Sequence, residues 1–255
     1  MPVLQPIIDR IARNETISRD EALAFASDPA LRADLFDTSA EATKRFASRI
    51  FNICGIVSIK TGACSCNCKW CAQSTHWTSS SIPIHPILPV SEVDAAAERA
   101  AAGGITRFSL VASGRKPSAR ETRMYAEHLK KLRSTNPKLE LCASLGLLNE
   151  KDLAVLKDAG LVRVHCNLET SERFFPQVCS SHTWEDKVKT IRAAKAAGLE
   201  VCSGGLFGMG ETAEDRIDLA FALRELEVPS IPLNLLDPRP GTPLEHAPKL
   251  SEDHF

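Results

Sequence analysis

The sequence predicts an α/β fold: a parallel (β/α) barrel that follows a short N-terminal helical segment. Three observations predict it. Helical patterns alternate with short apolar strands, one helix-to-strand turn recurs along the chain, and the predicted strands have one apolar and one polar face. The composition is that of a globular protein, because 44% of the 255 residues are hydrophobic and 25% are charged.

Residues 1–50 are predicted to form the N-terminal helical segment. A capping box begins at Ser18, before an Ala- and Leu-rich run. A second helix is predicted from Asp37 to about Ile50. We expect the barrel to occupy residues 51–255.

The helix-to-strand turn occurs three times, as AAGGITRFSL, DAGLVRVHCN and AAGLEVCSGG. In each copy, glycine stands where a helix needs a left-handed residue after its last turn, and an apolar run follows. Capping boxes predict the starts of three helices, at Ser118, Asn149 and Thr183. These repeats indicate β/α units in series.

Six strands are predicted, at about 53–59, 107–113, 139–144, 162–168, 199–204 and 231–236. The helices between them imply a parallel sheet. In the fourth strand, Val162 and Val164 share one face, while Arg163 and His165 share the other. Both faces of a doubly wound sheet tend to be apolar, so this alternation favours a barrel with a polar lumen. An eight-stranded barrel needs two more units, and we expect the sequence to be part of a longer chain rather than a natural six-stranded form.

The charge balance excludes some classes of partner. There are 31 Lys and Arg residues against 32 Asp and Glu, a net charge of −1, so no basic field favours nucleic acid or an anionic membrane. A small molecule is the expected partner. The sequence shows no secretory signal and no apolar run of about 20 residues, so we predict a cytoplasmic protein.

The nine cysteines indicate metal binding, since clustered thiols in a reducing compartment more often bind metal than form disulfides. Cys64, Cys68 and Cys71 form a C-x3-C-x2-C motif directly after the first strand. Three thiolates can hold one iron-sulfur cluster and leave its fourth iron open. The alternative is zinc, but structural zinc sites use four ligands in two separated pairs, and no second CxxC or HxxxH is present.

This motif, with Trp70 before its last cysteine, resembles the signature of the radical S-adenosylmethionine (SAM) superfamily. The segments SIKTG, CAQS, HCNLETS and VCSGGLFGMGET, and Asn234 followed by GTPL, resemble the biotin synthase family in order and spacing. The resemblance covers about residues 51–244. It implies a barrel in which a [4Fe-4S] cluster on Cys64, Cys68 and Cys71 reduces SAM bound at its open iron.

In that family, the resulting 5′-deoxyadenosyl radical abstracts hydrogens from dethiobiotin so that sulfur can be inserted to form biotin. The resemblance also implies a flavodoxin or ferredoxin type reductant and allows a homodimer. It implies no nucleic acid and no membrane as a partner.

The residues that would contact SAM are carried over by motif match. Trp70 occupies the aromatic position beside the adenine. Asn167 and Glu169 match residues that meet the ribose and the methionine portion, and the segment from Gly205 to Gly208 matches the strand that passes the adenine. Asn167 and Glu169 also lie on the polar face at the end of a predicted strand, where barrel sites are built. The alternative for the glycines is a close-packed turn.

Two further positions match the family. Lys187 stands where the family has a basic side chain near SAM, although lysine lacks the planar fork of arginine. Asn234 matches a contact with the ureido ring of dethiobiotin. His165 shares the inward face, which places it near SAM or the substrate.

The auxiliary cluster that donates sulfur is where the sequence departs from the family. Better-known members hold a [2Fe-2S] cluster with three strand cysteines and an arginine from a late strand. Two of those cysteines match Cys142 and Cys202, but the third position is Ser109, and the sequence stops before the strand of the arginine. Serine is a poor substitute for thiolate on iron.

We therefore predict a different auxiliary cluster, four-iron and all-cysteine, on Cys54, Cys142, Cys179 and Cys202. Cys54 shares the inward register of the first strand, and Cys179 follows the fourth strand at the rim. A subgroup of the family with cysteine at the positions of Cys54 and Cys179 resembles this pattern. The alternatives are a [2Fe-2S] cluster, which we favour less, and ordinary packing of buried cysteines.

Two other functions are kept as alternatives. One is another radical SAM enzyme, of mutase or maturase type, in which the inward Cys142 and Cys202 would have no role. The other is a non-catalytic fragment that only binds metal, in which Asn167 and Glu169 would have none.

Overall fold

The computed structural model describes residues 4–77 and 82–250. Its helices are α1 (Gln5–Ala12), α2 (Arg19–Ser27), α3 (Arg32–Phe46), α4 (Val90–Ala102), α5 (Ala119–Thr135), α6 (Glu150–Asp158), α7 (Phe175–Val178), α8 (Trp184–Ala196) and α9 (Ala213–Glu225). Its strands are β1 (Cys54–Lys60), β2 (Arg107–Ala112), β3 (Glu140–Ser144), β4 (Leu161–His165), β5 (Glu200–Cys202), β6 (Gly205–Phe207) and β7 (Leu233–Leu235).

The strands form an open, partial barrel. One parallel sheet has the order β1-β2-β3-β4-β5, and a parallel pair, β6-β7, continues it. Bridges from Glu169 to Gly205 and from Cys202 to Ser230 join the two parts. The order follows the chain, as successive right-handed β/α units require, and this confirms the predicted parallel fold.

The fifth predicted strand, 199–204, is shorter in the structure, at Glu200–Cys202, and β6 (Gly205–Phe207) follows it as a separate strand that was not predicted. The break lies at Gly204, where a Cβ atom would stand 1.8 Å from the carbonyl oxygen of Pro232. Gly205 donates its N–H to that same carbonyl at 3.1 Å. The close approach of the segment before β7 therefore interrupts the strand.

The predicted capping boxes are present at Ser18, Ser118, Asn149 and Thr183. The bounds of α3 differ from the prediction, because the helix begins at Arg32 and ends at Phe46. A 3₁₀ turn, Pro29–Leu31, is capped by the Asp28 carboxylate and leads directly into α3. The short polar run at Asp37 therefore lies inside a helix that has already started.

The two faces of the strands divide as predicted. The side chains that pack beneath the helices are buried in one hydrophobic core, among them Ile59, Leu110, Leu141, Val164 and Val201. The opposite faces carry the polar side chains and three cysteines of the lumen.

The N-terminal segment contacts the barrel through α2 and α9. Arg19 forms ion pairs with Glu214 and Asp218, both at 2.6 Å. Over the two described ranges, no helix combines the length and the apolar character that a membrane crossing needs.

Candidate active site

The three cysteines of the C-x3-C-x2-C motif lie in the thiol loop, residues 61–77, at the carboxyl end of β1. The loop turns at Gly62 and Ala63, both with positive φ. It is closed by backbone hydrogen bonds from Cys64 N to Gln73 O at 2.9 Å and from Thr75 N to Cys64 O at 2.8 Å. The short span and internal bonds keep the thiols close to the strand end.

A second loop, 178–182, packs against the thiol loop. Lys69 donates its N–H to the carbonyl of Val178 at 2.9 Å. The Asn67 side-chain oxygen accepts the N–H groups of Ser180 at 3.0 Å and Ser181 at 2.8 Å. The two loops therefore form one polar unit at the rim of the barrel.

Cys179 and His182 lie inside this unit, beside a predicted cluster ligand. The Cys68 thiol donates to the Cys179 sulfur across 3.6 Å, and Cys179 Sγ is 3.4 Å from His182 Nδ1. The hydrogen bond from Cys68, helped by His182, lowers the pKa of Cys179 to about 4. Burial opposes a charge on His182, but hydrogen bonds to Cys179 and Cys66 outweigh it and raise the pKa of His182 to about 9.

This placement corrects the predicted four-thiol cluster. Cys179 touches Cys68 in the loop that follows β1, whereas Cys54 is the first residue of β1. At about 3.3 Å per residue, the two ends of this seven-residue strand are separated by roughly 20 Å. Cys179 therefore does not share a site with Cys54, because strand parity carries no information on where a loop residue lies.

The lumen thiols, Cys54, Cys142 and Cys202, form a second group. A hydrogen bond from Cys142, with the nearby cations Arg163 and Arg107, lowers the pKa of Cys54 to about 7. The charge of Cys54 also acts on Cys202, whose pKa is raised mainly by burial. These three predicted ligands are thus brought together, without Cys179.

An ion-pair network closes the lumen beneath these thiols. Arg107 pairs with Glu140 at 2.6 Å and with Glu200 at 3.1 Å, and Arg163 pairs with Glu200 at 2.6 Å. The side chains of Arg107 and Arg163 are only 11% and 17% exposed. The network therefore places positive charge where thiolates or an anionic cluster would be stabilised.

Three buried polar atoms on the strands that carry the lumen thiols or lie next to them have no hydrogen-bond partner among the described residues: Arg107 Nε, Ser109 Oγ and His165 Nε2. Ser109 aligns with Cys142, and His165 with Cys202. Burial, with Arg163 and Arg107 nearby, lowers the pKa of His165 to about 4, so its ring is neutral. Unpaired buried polar groups are rare, and the sulfides of an iron-sulfur cluster would accept hydrogen bonds from such donors.

Asn167 and Glu169 lie just beyond the carboxyl end of β4. The Asn167 side-chain oxygen accepts the N–H of Gly204 at 3.2 Å, and its side chain also hydrogen-bonds to Glu169. Glu169 has a φ of 73°, a strained value for a residue other than glycine. Such strain is typical of functional sites. Burial raises the pKa of Glu169 despite the nearby Lys187.

Lys187 extends from α8 towards this strand end. Its ammonium donates to the backbone carbonyl of Asn167 at 2.7 Å. Burial opposes the charge, but Cys166 and Glu169 outweigh it and raise the pKa of Lys187. Lys187 therefore supports the segment that carries Asn167 and Glu169.

The remaining predicted residues lie near β6 and β7. Asn234 donates from Nδ2 to the carbonyl of Gly205 at 3.3 Å. Gly208, with a φ of 100°, donates its N–H to the buried carboxylate of Glu211. Trp70 packs against a small apolar cluster of Val178, Met209 and Leu236. The strand pair and the thiol loop are thus neighbours.

Comparison with known proteins decides the family. The model of the radical SAM superfamily matches residues 58–223. The biotin synthase of Porphyromonas gingivalis is 45% identical over 256 residues, which cover 99% of this chain and 76% of that protein. The chain belongs to the biotin synthase family. The biotin synthase of Campylobacter hominis is 41% identical, over 99% of this chain and 77% of that protein.

Solved structures confirm the radical SAM fold of this biotin synthase family member. A methylornithine synthase superposes with a TM-score of 0.82 at 18% identity, over 96% of this chain and 72% of that one. A maturase of the [FeFe]-hydrogenase superposes with a TM-score of 0.81 at 18% identity, over 98% and 58%. At these identities the likeness concerns the fold alone.

The sequence analysis of this biotin synthase family chain gave no role to His182 or to Cys66. The structure buries both, and the Cys66 thiol lies near Cys64, Cys68 and His182. The available signal was a second pair of potential ligands, Cys179-x2-His182, which differs from the CxxC and HxxxH spacings that were considered.

Proposed function

We propose that this radical SAM enzyme inserts sulfur into dethiobiotin to form biotin. The observation that supports this function best is the presence of two separate sets of cysteine thiols, one at each end of β1. One lies in the thiol loop, and the other lies in the lumen with Cys54, Cys142 and Cys202. A sulfur-inserting enzyme needs two such centres, one to generate a radical and one to supply sulfur.

Cys64, Cys68 and Cys71 would hold a [4Fe-4S] cluster, and they fit it as the three thiols of a C-x3-C-x2-C spacing in one short loop. When bound, this cluster and SAM supply the radical that abstracts hydrogen from an unactivated carbon. Asn167 and Glu169 would orient SAM from the end of β4, with Lys187 holding the Asn167 carbonyl.

Two further groups of residues would surround SAM. Trp70 would lie beside the adenine, and the backbone from Gly205 to Gly208 would pass it. A Cβ at position 205 would stand 2.5 Å from Leu219 Cδ2 and 3.2 Å from the Glu169 carbonyl oxygen, so a larger residue would require the Leu219 side chain to shift. Asn234, held to Gly205 at 3.3 Å, would present its side-chain oxygen to the ureido ring of dethiobiotin.

The lumen thiols would hold the auxiliary iron-sulfur cluster, with three cysteine ligands in place of the predicted four. The unpaired Arg107 Nε and Ser109 Oγ would donate hydrogen bonds to its sulfides rather than ligate iron. The lumen geometry supports an auxiliary cluster. The Ser109 hydroxyl is not among its iron ligands, because serine is a poor substitute for thiolate on iron. The reductant would be a flavodoxin or ferredoxin type protein, and the chain would work as a monomer or a homodimer.

The domain division that we propose has the helical segment at residues 1–50 and the barrel at 51–255. The N-terminal segment contacts the barrel mainly by exposed ion pairs from Arg19, whereas the barrel has its own continuous core.

The experiment is an anaerobic assay of the reconstituted protein with dethiobiotin, SAM and a reductant, followed by mass spectrometry. We expect both biotin and 5′-deoxyadenosine. Formation of 5′-deoxyadenosine in the presence of dethiobiotin, but without biotin, would indicate another radical SAM reaction. Absence of SAM binding would indicate a protein that only binds metal.

A further inference from the structure

Three potential metal ligands converge where the thiol loop meets residues 178–182, and a further thiol lies beside them. The ligand atoms of Cys68, Cys179 and His182 all lie within 4.8 Å of one another. The Cys66 thiol is outside that group but close enough to Cys68 and His182 to act on their charge. These four residues are called the rim group below.

The rim group is largely shielded from solvent and held in place. Cys66, Cys179 and His182 are 6%, 4% and 9% exposed. The His182 ring packs edge-on against Phe175, with the ring centroids 5.5 Å apart. Asn67 ties the two contributing loops together through the N–H groups of residues 180 and 181. The ligands are therefore preorganised rather than exposed by chance.

The distances among Cys68, Cys179 and His182 match three corners of a tetrahedral metal site, which Cys66 would complete by moving towards them. Zinc–sulfur bonds of about 2.3 Å keep two sulfurs ~3.8 Å apart in a tetrahedron, and a sulfur and a nitrogen slightly closer. The observed separations are 3.6 Å between Cys68 and Cys179 and 3.4 Å between Cys179 and His182 Nδ1. Three thiols with one imidazole form a common structural zinc ligand set.

The rim group also has the two separated ligand pairs of a zinc site. Cys66-x-Cys68 comes from one loop and Cys179-x2-His182 from the other. Only Cys68 belongs both to this group and to the C-x3-C-x2-C motif. Both sites use the thiolate of Cys68, so binding at one site acts directly on the other.

We propose that Cys66, Cys68, Cys179 and His182 bind a single thiophilic divalent ion, of which Zn²⁺ is the representative, in competition with the [4Fe-4S] cluster. The competition depends on the proposed function, in which Cys68 is a ligand of the cluster. The ion site does not depend on that role. An ion bound to the rim group holds the thiol loop in a form that cannot bind the [4Fe-4S] cluster. Binding of the ion therefore inhibits the enzyme.

The first test measures Zn²⁺ affinity of the reduced, metal-free full chain by competition with a chromophoric chelator, under anaerobic conditions. Cys179→Ser and His182→Gln are expected to weaken affinity by at least about tenfold, since loss of an outer-shell partner alone costs roughly 10–100-fold. The matched controls Cys71→Ser and Cys142→Ser are expected to retain wild-type affinity. Co²⁺ in place of Zn²⁺ should give the absorption of a tetrahedral thiolate site.

The controls distinguish three donor sets. If Cys71→Ser weakens Zn²⁺ binding as much as Cys179→Ser does, the ion lies on the C-x3-C-x2-C motif and the proposal is wrong. Equal loss in Cys142→Ser would place the ion in the lumen, and unchanged affinity in every variant would also overturn the proposal. Far-UV circular dichroism checks that each variant is folded. If Cys179→Ser does not fold, the affinity of His182→Gln decides the test.

The second test reconstitutes the [4Fe-4S] cluster with and without one equivalent of Zn²⁺. We expect Zn²⁺ to block reconstitution of the wild type and to have much less effect on His182→Gln. Equal block in both proteins contradicts the competition. Loss of the cluster in Cys71→Ser, measured without Zn²⁺, tests the proposed function separately.

Discussion

Asn67 shows how one side chain can join two segments that are distant in sequence. Its amide oxygen accepts two backbone N–H groups, from Ser180 and Ser181, and its amide nitrogen donates to Ser180 Oγ at 2.7 Å. These bonds keep the loop of Cys179 against the thiol loop. The sequence offered no signal for this contact, because Asn67 is simply one of the residues between the cysteines.

Replacing Asn67 tests this connection. We expect Asn67→Ala to lower the free energy of unfolding by about 1 kcal/mol, because the partly buried N–H of Ser181 and the exposed N–H of Ser180 lose their acceptor. Urea denaturation of the metal-free protein measures the change. Ser180→Ala, which loses one bond only, should cost less, and an equal cost in both variants would contradict the role given to Asn67.

A pH dependence follows from Glu121, which pairs with Lys60 at 2.7 Å near the end of β1. Burial opposes its charge, but Lys60 and the N–H of Ser118 outweigh it and lower the pKa of Glu121 from 4.5 to about 2. A lowered carboxyl pKa gives stability that is present above pH 4.5 and is lost as the pH falls towards 2.

Glu121→Gln therefore should cost about 1 kcal/mol of unfolding free energy at pH 7, after allowance for solvent screening. The difference from wild type should shrink between pH 4.5 and pH 2. Urea denaturation at several pH values measures it. A difference that stays constant with pH would show that Glu121 contributes only through its capping geometry.

At the scale of elements, the β/α repeat was predictable because each unit is coded locally. Capping boxes begin α5, α6, α8 and α9, and Gly104, Gly160 and Gly198 follow helices with positive φ. The break between β5 and β6 was not predictable, since it depends on the carbonyl of Pro232, which is 28 residues further along the chain than Gly204. Local sequence patterns therefore determine where a helix or strand forms, whereas contacts with distant residues determine where a strand is broken.

Gly204→Ala tests the interrupted strand. An added Cβ would lie 1.8 Å from the Pro232 carbonyl oxygen, so β7 must move away from β6. We expect a loss of about 2–4 kcal/mol, within the range of severe steric substitutions, in thermal or urea unfolding. The control is Gly103→Ala, where the nearest atoms are at 3.4 Å or more and little change is expected. Similar stability in the two variants would contradict the close approach.

At the scale of the whole molecule, the fold separates two thiol groups along one strand. Parity along β1, β3 and β5 predicts that Cys54, Cys142 and Cys202 share the lumen, and the charge of Cys54 acts on both of the other thiols in the structure. Cys179 was misplaced because it lies in a loop, where alternation does not apply. Barrel periodicity therefore predicts strand positions but not the rim.

The N-terminal segment is expected to be less stable than the barrel. Among the described residues, α2 has no buried side chain, and its ion pairs through Arg19 are exposed. Such pairs contribute about 0–1 kcal/mol. Hydrogen exchange should therefore be faster in α2 than in β2 or β3, and equal protection would contradict the proposed domain division.

The central claim is that the chain holds two iron-sulfur clusters on separate cysteine sets. Anaerobic iron and sulfide analysis with Mössbauer spectra tests it on the wild type and on two triple alanine variants, of Cys64, Cys68 and Cys71 and of Cys54, Cys142 and Cys202. We predict that each variant keeps one cluster and loses the other. If either variant loses all of its iron, or if the lumen variant keeps the full wild-type content, the two-cluster account is wrong.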